Sequence, residues 1–413
     1  MAEAVPTAEE GVPGESGDLG TFDAAVRARV SAKVKNAGIN FDGELAPLAD
    51  LAAGGVSAVD GAFFTQLVHA GYANLVRTKL NLNKINVFPI PDGDTGNNMV
   101  ICLKNPTKGL FTEPQASVFD AATNLAADVL LYGQGNSGTI LSHFYIQLAE
   151  GIKAAAGGAA SITTAQFATA VAAASAAMKD AVPNLVEGTM VSVARDCGQE
   201  LTPADGTVKA YIAAWLEKGE AELALTPERL QVDGKFVLKE AGVVDSGAKG
   251  FVDMIGGMAA AIAGEAEICA LMKDGKILQR ATFGASAGED VPMDVDHTVT
   301  DSKFQFCTEA VIKLKDGVTK EQVTVALEAE EAAGNLDSIA IVCAPAKGGG
   351  MMAKAHFHTN DSVGGFAICS GFCSAEGGRL EKEKVEDMYM EREDEHGGNS
   401  PSPNPHLILI ILT

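Results

Sequence analysis

The densest set of chemistry-bearing residues in this 413-residue chain is the run Asn86-Val-Phe-Pro-Ile-Pro-Asp92-Gly-Asp94-Thr95-Gly96-Asn97-Asn98-Met99. Two prolines stiffen the approach, and Gly93 and Gly96 permit a sharp turn. Asp92 and Asp94, one residue apart, can share a hard cation, and Mg²⁺ prefers oxygen ligands with phosphate completing its shell. Thr95 to Asn98 then opens a helix, expected to run through about Leu103. Its N-terminus offers N–H groups and the positive end of a dipole to phosphate. On these residues alone the plainer alternative is an Asp-Gly turn with Asp94 as a helix cap.

Three more glycine-bearing segments follow. Gly133-Gln134-Gly135-Asn136-Ser137-Gly138 reads as a loop entering a helix over Thr139–Ile152, a phosphate-compatible geometry or simply a helix-linking turn. No G-x-x-x-x-G-K-[ST] run occurs and no strand precedes this loop, which excludes the Walker and dinucleotide-binding patterns. Val186-Glu187-Gly188-Thr189-Met190 and Gly242-Val-Val-Asp245-Ser-Gly-Ala-Lys-Gly250 each break before an apolar helix and on spacing alone read as caps and turns. Further on, Lys354, His356 and His358 alternate with Ala355 and Phe357, so a strand puts both histidines on one face. With a thiolate from Cys307 on a neighbouring strand they form a Zn²⁺ ligand set; the alternative is an exposed histidine pair. Cys369 and Cys373, one helical turn apart, read as core.

In this order, the four segments resemble the DhaL-like domain, the ATP-binding subunit type of dihydroxyacetone kinases. They are most similar to the catalytic subunit of bacterial fatty acid kinase, over roughly residues 58–395. The resemblance implies a barrel of antiparallel helices with ATP or ADP bound at one rim. It implies Mg²⁺ on Asp92 and Asp94, with Asn86 near the place where related kinases put a third acidic ligand. Thr95 and Asn98 would touch phosphates. Asn136, Ser137 and Gly138 would hold the nucleotide phosphate, and Thr189, Met190 and Asp245 would border the nucleotide pocket. The F-x-x-C-T-E and H-x-H-T-N-D elements match the family's middle domain, which implies zinc on Cys307, His356 and His358. The acceptor implied is a fatty acid presented by a DegV-type lipid-binding protein, in trans or as a fused domain lost from this chain. Dihydroxyacetone phosphorylation is the second reading, weakened because that family's separate ketone-holding domain has no counterpart in the sequence. A non-catalytic, ADP-binding regulatory subunit is the third.

The elements that must position these residues fall into two units. From about Asp60 to Ala263 apolar residues recur at helical spacing: Phe64, Val68, Tyr72 and Leu75 share one stripe, and Val118, Ala122, Leu125 and Val129 another. About eight helices with short connections predict an all-α antiparallel bundle or barrel. Beyond the polar stretch 284–302, read as a linker, Phe306–Leu314, Ser338–Cys343 and Ala353–His358 read as strands. Thr319 with Gln322 starts a helix, which gives a smaller α+β domain. The expected organisation is therefore a disordered or helical extension over 1–55, the nucleotide-binding helical domain over 56–266, and the α+β domain over 267–395. The tail, 396–413, ends in an isolated apolar run, expected to be either the first strand of a missing domain or an artefact of the reading frame.

Bulk composition narrows the partners. Formal net charge is -23, from 54 acidic and 31 basic residues, which argues against nucleic acid or an anionic membrane surface. A nucleotide is compatible, since a metal ion carries the phosphate charge locally. The 7 cysteines are scattered, which argues against a disulfide scaffold and for a reducing, cytoplasmic setting. No apolar stretch approaches the roughly 20 residues that span a bilayer. Oligomeric state is left open, with a homodimer compatible.

Overall fold

The computed structural model describes residues 57–112, 115–199, 201, 206–263, 303–346, 349–374 and 378–388. It also gives the backbone of strands β1 (Glu9–Glu10), β2 (Glu44–Pro47), β5 (Glu267–Lys273) and β6 (Lys276–Phe283), which pair in the order β1-β6-β5-β2. The rest of the expected N-terminal extension, the 284–302 linker and the 396–413 tail lie outside the described residues.

The first unit is helical. Its helices are α1 (Gly61–Lys84), α2 (Thr95–Thr112), α3 (Val118–Tyr132), α4 (Gly135–Ala156), α5 (Thr164–Ala177), α6 (Met190–Cys197), α7 (Val208–Ala224), the short α8 (Thr226–Arg229) and α9 (Val237–Ala241), and α10 (Ser246–Ala263). From α1 to α7 each packs on the next, α10 packs on both α7 and α1, and the ring closes into a barrel. Local signals set the helix starts: Asp60 accepts from the Phe63 amide, Ser117 from the Asp120 amide, and Thr163 forms a capping box with Gln166. A short ribbon of β3 (Ala58–Asp60) and β4 (Ser161–Thr163) ties the entries of α1 and α5 together. Both predicted stripes are buried. The barrel interior is aromatic, with Phe144 edge-to-face on Phe251 at 5.2 Å and Trp215 against Phe251 at 5.9 Å between ring centroids.

Two helices differ from their expected limits. α2 does not stop near Leu103 but continues through Pro106 to Thr112. Proline removes one helical hydrogen bond, and the burial of Leu103, Thr107 and Leu110 on one face offsets that loss. α4 begins at Gly135 rather than Thr139, so Asn136, Ser137 and Gly138 form its first turn.

The second unit is α+β, with β7 (Phe306–Lys313), α11 (Lys320–Ala332), β8 (Leu336–Pro345), β9 (Met351–Thr359), α12 (Ser362–Ser370) and β10 (Lys382–Asp387). The strands form an antiparallel sheet in the order β10-β7-β9-β8. Thr319 and Gln322 start α11 as expected, the Thr319 amide donating to Gln322 Oε1 at 2.9 Å. Strand periodicity gives the sheet two characters. One face, including Ala310, Ile312, Ile341, Ala355 and Phe357, forms a core under α11 and α12, which also takes in Cys369 and Cys373. On the other face Val311, Val342, Ala344 and Met352 join the barrel core against α3 and α4. Farther along that same face come Cys307, Glu309, His356 and His358, so docking of the apolar half delivers the polar half to the barrel rim. No helix among the described residues is long and apolar enough to cross a membrane.

Candidate active site

The Asp92–Asp94 turn is built around Asn86. The Asn86 side-chain amide donates to Ile90 O at 2.7 Å and to Asp92 Oδ1 at 3.0 Å, while its oxygen accepts from the Thr95 hydroxyl. Asn86 thus orients the carboxylate rather than adding a third one. Asp94 takes the cap position of α2, its backbone oxygen accepting from the Asn98 amide at 2.9 Å, and its Oδ2 accepts from Asn98 Nδ2 at 2.7 Å. The cap reading therefore holds for this residue, whose carboxylate also lines the cavity. Asn83 Oδ1 already engages the Gly96 and Asn97 amides, so at this helix the groups turned to the cavity are the side chains of Thr95 and Asn98. Burial in the cavity, and then the neighbouring Asp92, push the Asp94 carboxyl well above the usual range, against the Asn98 amide. Two carboxylates crowded in this way suit a divalent cation, which would supply the missing positive charge.

The other glycine segments arrive at the same place. α4 can enter beside α2 only because Gly135 has no side chain: φ is +58°, and a Cβ there would lie 2.3 Å from Asn98 Nδ2. Asn136 and Ser137 in its first turn line the cavity, as do Thr189 and Met190 at the start of α6 and Asp245 before α10. Gly138 lies outside the lining, pressed against the Asn98 backbone. Asp245 Oδ1 accepts from the Ala248 amide at 2.7 Å, and its carboxyl also engages the Met190 amide, so one carboxylate joins the starts of α10 and α6. Burial pushes its carboxyl up to about 7, against those two amides. The starts of α2, α4, α6 and α10 thus meet at one cavity of about 280 Å³. Converging helix N-termini favour a polyanion, and Phe88, Ile90, Val186, Met190 and Ile339 supply apolar walls.

The far wall belongs to the sheet. Cys307 sits opposite His358 across β7 and β9 and opposite Glu386 across β10, while Glu309 sits between His356 and Lys384. Cys307, His356, His358 and Glu386 all line the cavity that holds Asp92 and Asp94. The donor atoms of Cys307, His356 and His358 lie within 4.8 Å of one another, with Sγ 3.6 Å from His356 Nδ1. Both histidines are buried, which rules out the exposed pair, and His356 Nε2 and His358 Nδ1 have no hydrogen-bond partner. Burial lowers His356 to about 4, so its ring is neutral at physiological pH, as ligation requires. Burial, then Glu309 and Glu386, push the Cys307 thiol well up, and a bound cation would be needed to make it a thiolate. A thiolate and two imidazoles suit zinc, and three donors leave one position open.

Residues 89–260 match the family model of the DAK2 domain. That domain is the nucleotide-binding unit of the dihydroxyacetone-kinase family, and it contains the DhaL-like motifs from the Asp92–Asp94 turn to the Asp245 segment. Protein YloV of Bacillus subtilis is 28% identical over 336 residues, 81% of this chain and 56% of that protein. An uncharacterized protein of Staphylococcus saprophyticus, SSP1546, is 31% identical over 268 residues, 62% of this chain and 44% of its own. The MG369 homolog of Mycoplasma pneumoniae is 30% identical over 315 residues, 74% and 53% respectively. The chain spans about half the length of these curated relatives, and none of their names states an activity.

Sequence reasoning missed Glu309, Lys384 and Glu386. The first stands two residues after Cys307, which on a strand means the same face, and that spacing was available. The other two lie on β10, whose Lys-Glu-Lys-Val-Glu-Asp sequence has no apolar alternation to mark it as a strand, as suits a charged edge.

Proposed function

We propose that the protein is an ATP- and Mg²⁺-dependent phosphotransferase of the fatty acid kinase kind, acting on a fatty acid carboxylate presented by a DegV-type lipid-binding partner. What carries the nucleotide half of this reading is the meeting of four helix N-termini at the paired carboxylates of Asp92 and Asp94 within a DAK2 domain. In the reaction a carboxylate oxygen forms a bond to the γ-phosphorus as the bond to the β–γ bridging oxygen breaks, and ADP leaves with the electron pair. An ionised carboxylate has no proton to lose, so positioning and charge neutralisation suffice. Asp92 and Asp94 would hold Mg²⁺, which supplies that neutralisation. Thr95, Asn98, Asn136 and Ser137 orient phosphates, and Asp245 keeps the α6 and α10 starts aimed at them. Cys307, His356 and His358 would hold zinc on the sheet side of the cavity.

The acceptor rests on the resemblance of the sequence motifs. The test is incubation with ATP and Mg²⁺ plus either dihydroxyacetone or a fatty-acid-loaded DegV-type protein, with acyl phosphate trapped by hydroxylamine. Hydroxamate from the lipid-loaded partner is the expected result. Phosphorylation of dihydroxyacetone alone would overturn the acceptor, and tight ADP binding without turnover of either would favour a regulatory subunit.

A further inference from the structure

Glu309 has no part in the chemistry above, does not line the cavity, and is almost completely buried. Its Oε1 accepts from the Gly135 amide at 2.8 Å, across the boundary between sheet and barrel. The same oxygen lies 3.6 Å from His356 Nδ1, and Oε2 lies 3.2 Å from the buried ammonium of Lys354. Lys384 stands opposite Glu309 on β10, so this carboxylate is flanked by basic side chains from both neighbouring strands. Two further contacts from the neighbouring strand reach the same turn: Lys384 Nζ donates to Gln134 Oε1 at 2.7 Å, and Lys382 Nζ to Leu131 O at 3.3 Å. The turn between α3 and α4 is thus held by a cation at the end of one helix and an anion at the start of the next, the signs that both helix dipoles favour. Gln134, the cap residue of α4, makes no side-chain cap of its own, so the cap comes from the other domain.

We propose that Glu309 is a positioning residue that sets the phosphate-facing turn of α4 in register with the Cys307–His356–His358 cluster. One carboxylate oxygen spans the two halves of the cavity, so the geometry of the glycine turn depends on the sheet being docked. The inference rests on the nucleotide reading of that turn. Its consequence is that nucleotide affinity, a property of the helical domain, is set in part by a residue of the sheet that never touches nucleotide.

Removing Glu309 alone would leave Lys354 buried without its partner and risk the fold, so the test uses two double variants that remove both charges. Glu309→Leu with Lys354→Met deletes the acceptor for the Gly135 amide, whereas Glu309→Gln with Lys354→Met keeps one. Mg–ADP affinity is measured by calorimetry on the full chain, beside the urea midpoint of each protein. The Leu/Met variant is expected to bind Mg–ADP at least tenfold more weakly than the parent, and the Gln/Met variant within threefold of it. A purely structural role predicts affinities that are unchanged in folded protein or that follow the midpoints. If the Leu/Met variant binds as the parent does, or the Gln/Met variant loses as much as the Leu/Met one, the inference is wrong. A parent that binds no Mg–ADP overturns the nucleotide reading and this inference with it.

Discussion

Replacing Asp245 by Asn is expected to stabilise the ligand-free protein at alkaline pH. Asp245 is only 5% exposed, and its carboxyl is pushed from 3.8 to about 7. The gap of about three pH units, at about 1.36 kcal/mol each, corresponds to about 4 kcal/mol. Because the folded value is raised, the contribution of this carboxyl to stability is fully present below about pH 4. It is lost as pH rises through 7. Between pH 5 and 8 the parent should therefore lose about 2.7 kcal/mol on this account, two of the three units. Asn retains an oxygen to accept from the Ala248 amide, so the start of α10 keeps its cap. The pull of the Ala248 and Met190 amides on the charged form is already contained in the raised value, so the net gain at pH 8 should approach the full gap of about 4 kcal/mol, with little change at pH 4. Urea unfolding at both pH values, followed through the single tryptophan, Trp215, buried in the barrel, measures it. A variant that is less stable than the parent at pH 8, or that keeps the parent's full decline between pH 5 and 8, would refute the reasoning.

Three other outcomes follow from the site. Asp92→Asn and Asp94→Asn should each abolish the roughly 2.7 kcal/mol that Mg–ADP at a hundred times its dissociation constant adds to the parent; thermal unfolding with and without ligand checks this, and an undiminished gain would remove both residues from the cation site. Purified parent should carry about one zinc per chain, and Cys307→Ser should lose most of it; metal analysis that finds equal zinc in both excludes the thiolate as a ligand. Gly135→Ala should cost about 1–2 kcal/mol from its left-handed backbone alone and should weaken Mg–ADP binding by displacing Asn98, which an unchanged affinity would contradict.

The expected barrel and smaller α+β domain are both present, and the reason lies in particular residues. The stripes through Phe64 and Val118 repeat at helical spacing, and Thr163 and Thr319 carry their cap partners three residues on. Periodicity was blind where burial overrides a local signal, as at Pro106, and where a strand has no apolar face, as in Lys382–Asp387. The Gly133–Gly138 segment read as a loop because its glycines suit turns. In the fold most of it is helix, since Gly135 and Gly138 serve the approach of α4 to Asn98 rather than local flexibility.

For the site, the sequence alone determined which groups are available: two carboxylates one residue apart, glycine-bearing helix starts, and two histidines on one strand face. These are local properties, set by side-chain chemistry and by strand or helix period. Only the tertiary structure decided that they form one cavity. No local pattern records that Glu309 meets Gly135 or that Cys307 shares a cavity with Asp94, because those residues are joined through the docking of a half-apolar sheet face onto α3 and α4. The burial that drives this docking is non-directional, and the alternation of the strands converts it into a fixed register. That register places the polar end of the same sheet face over the helix starts.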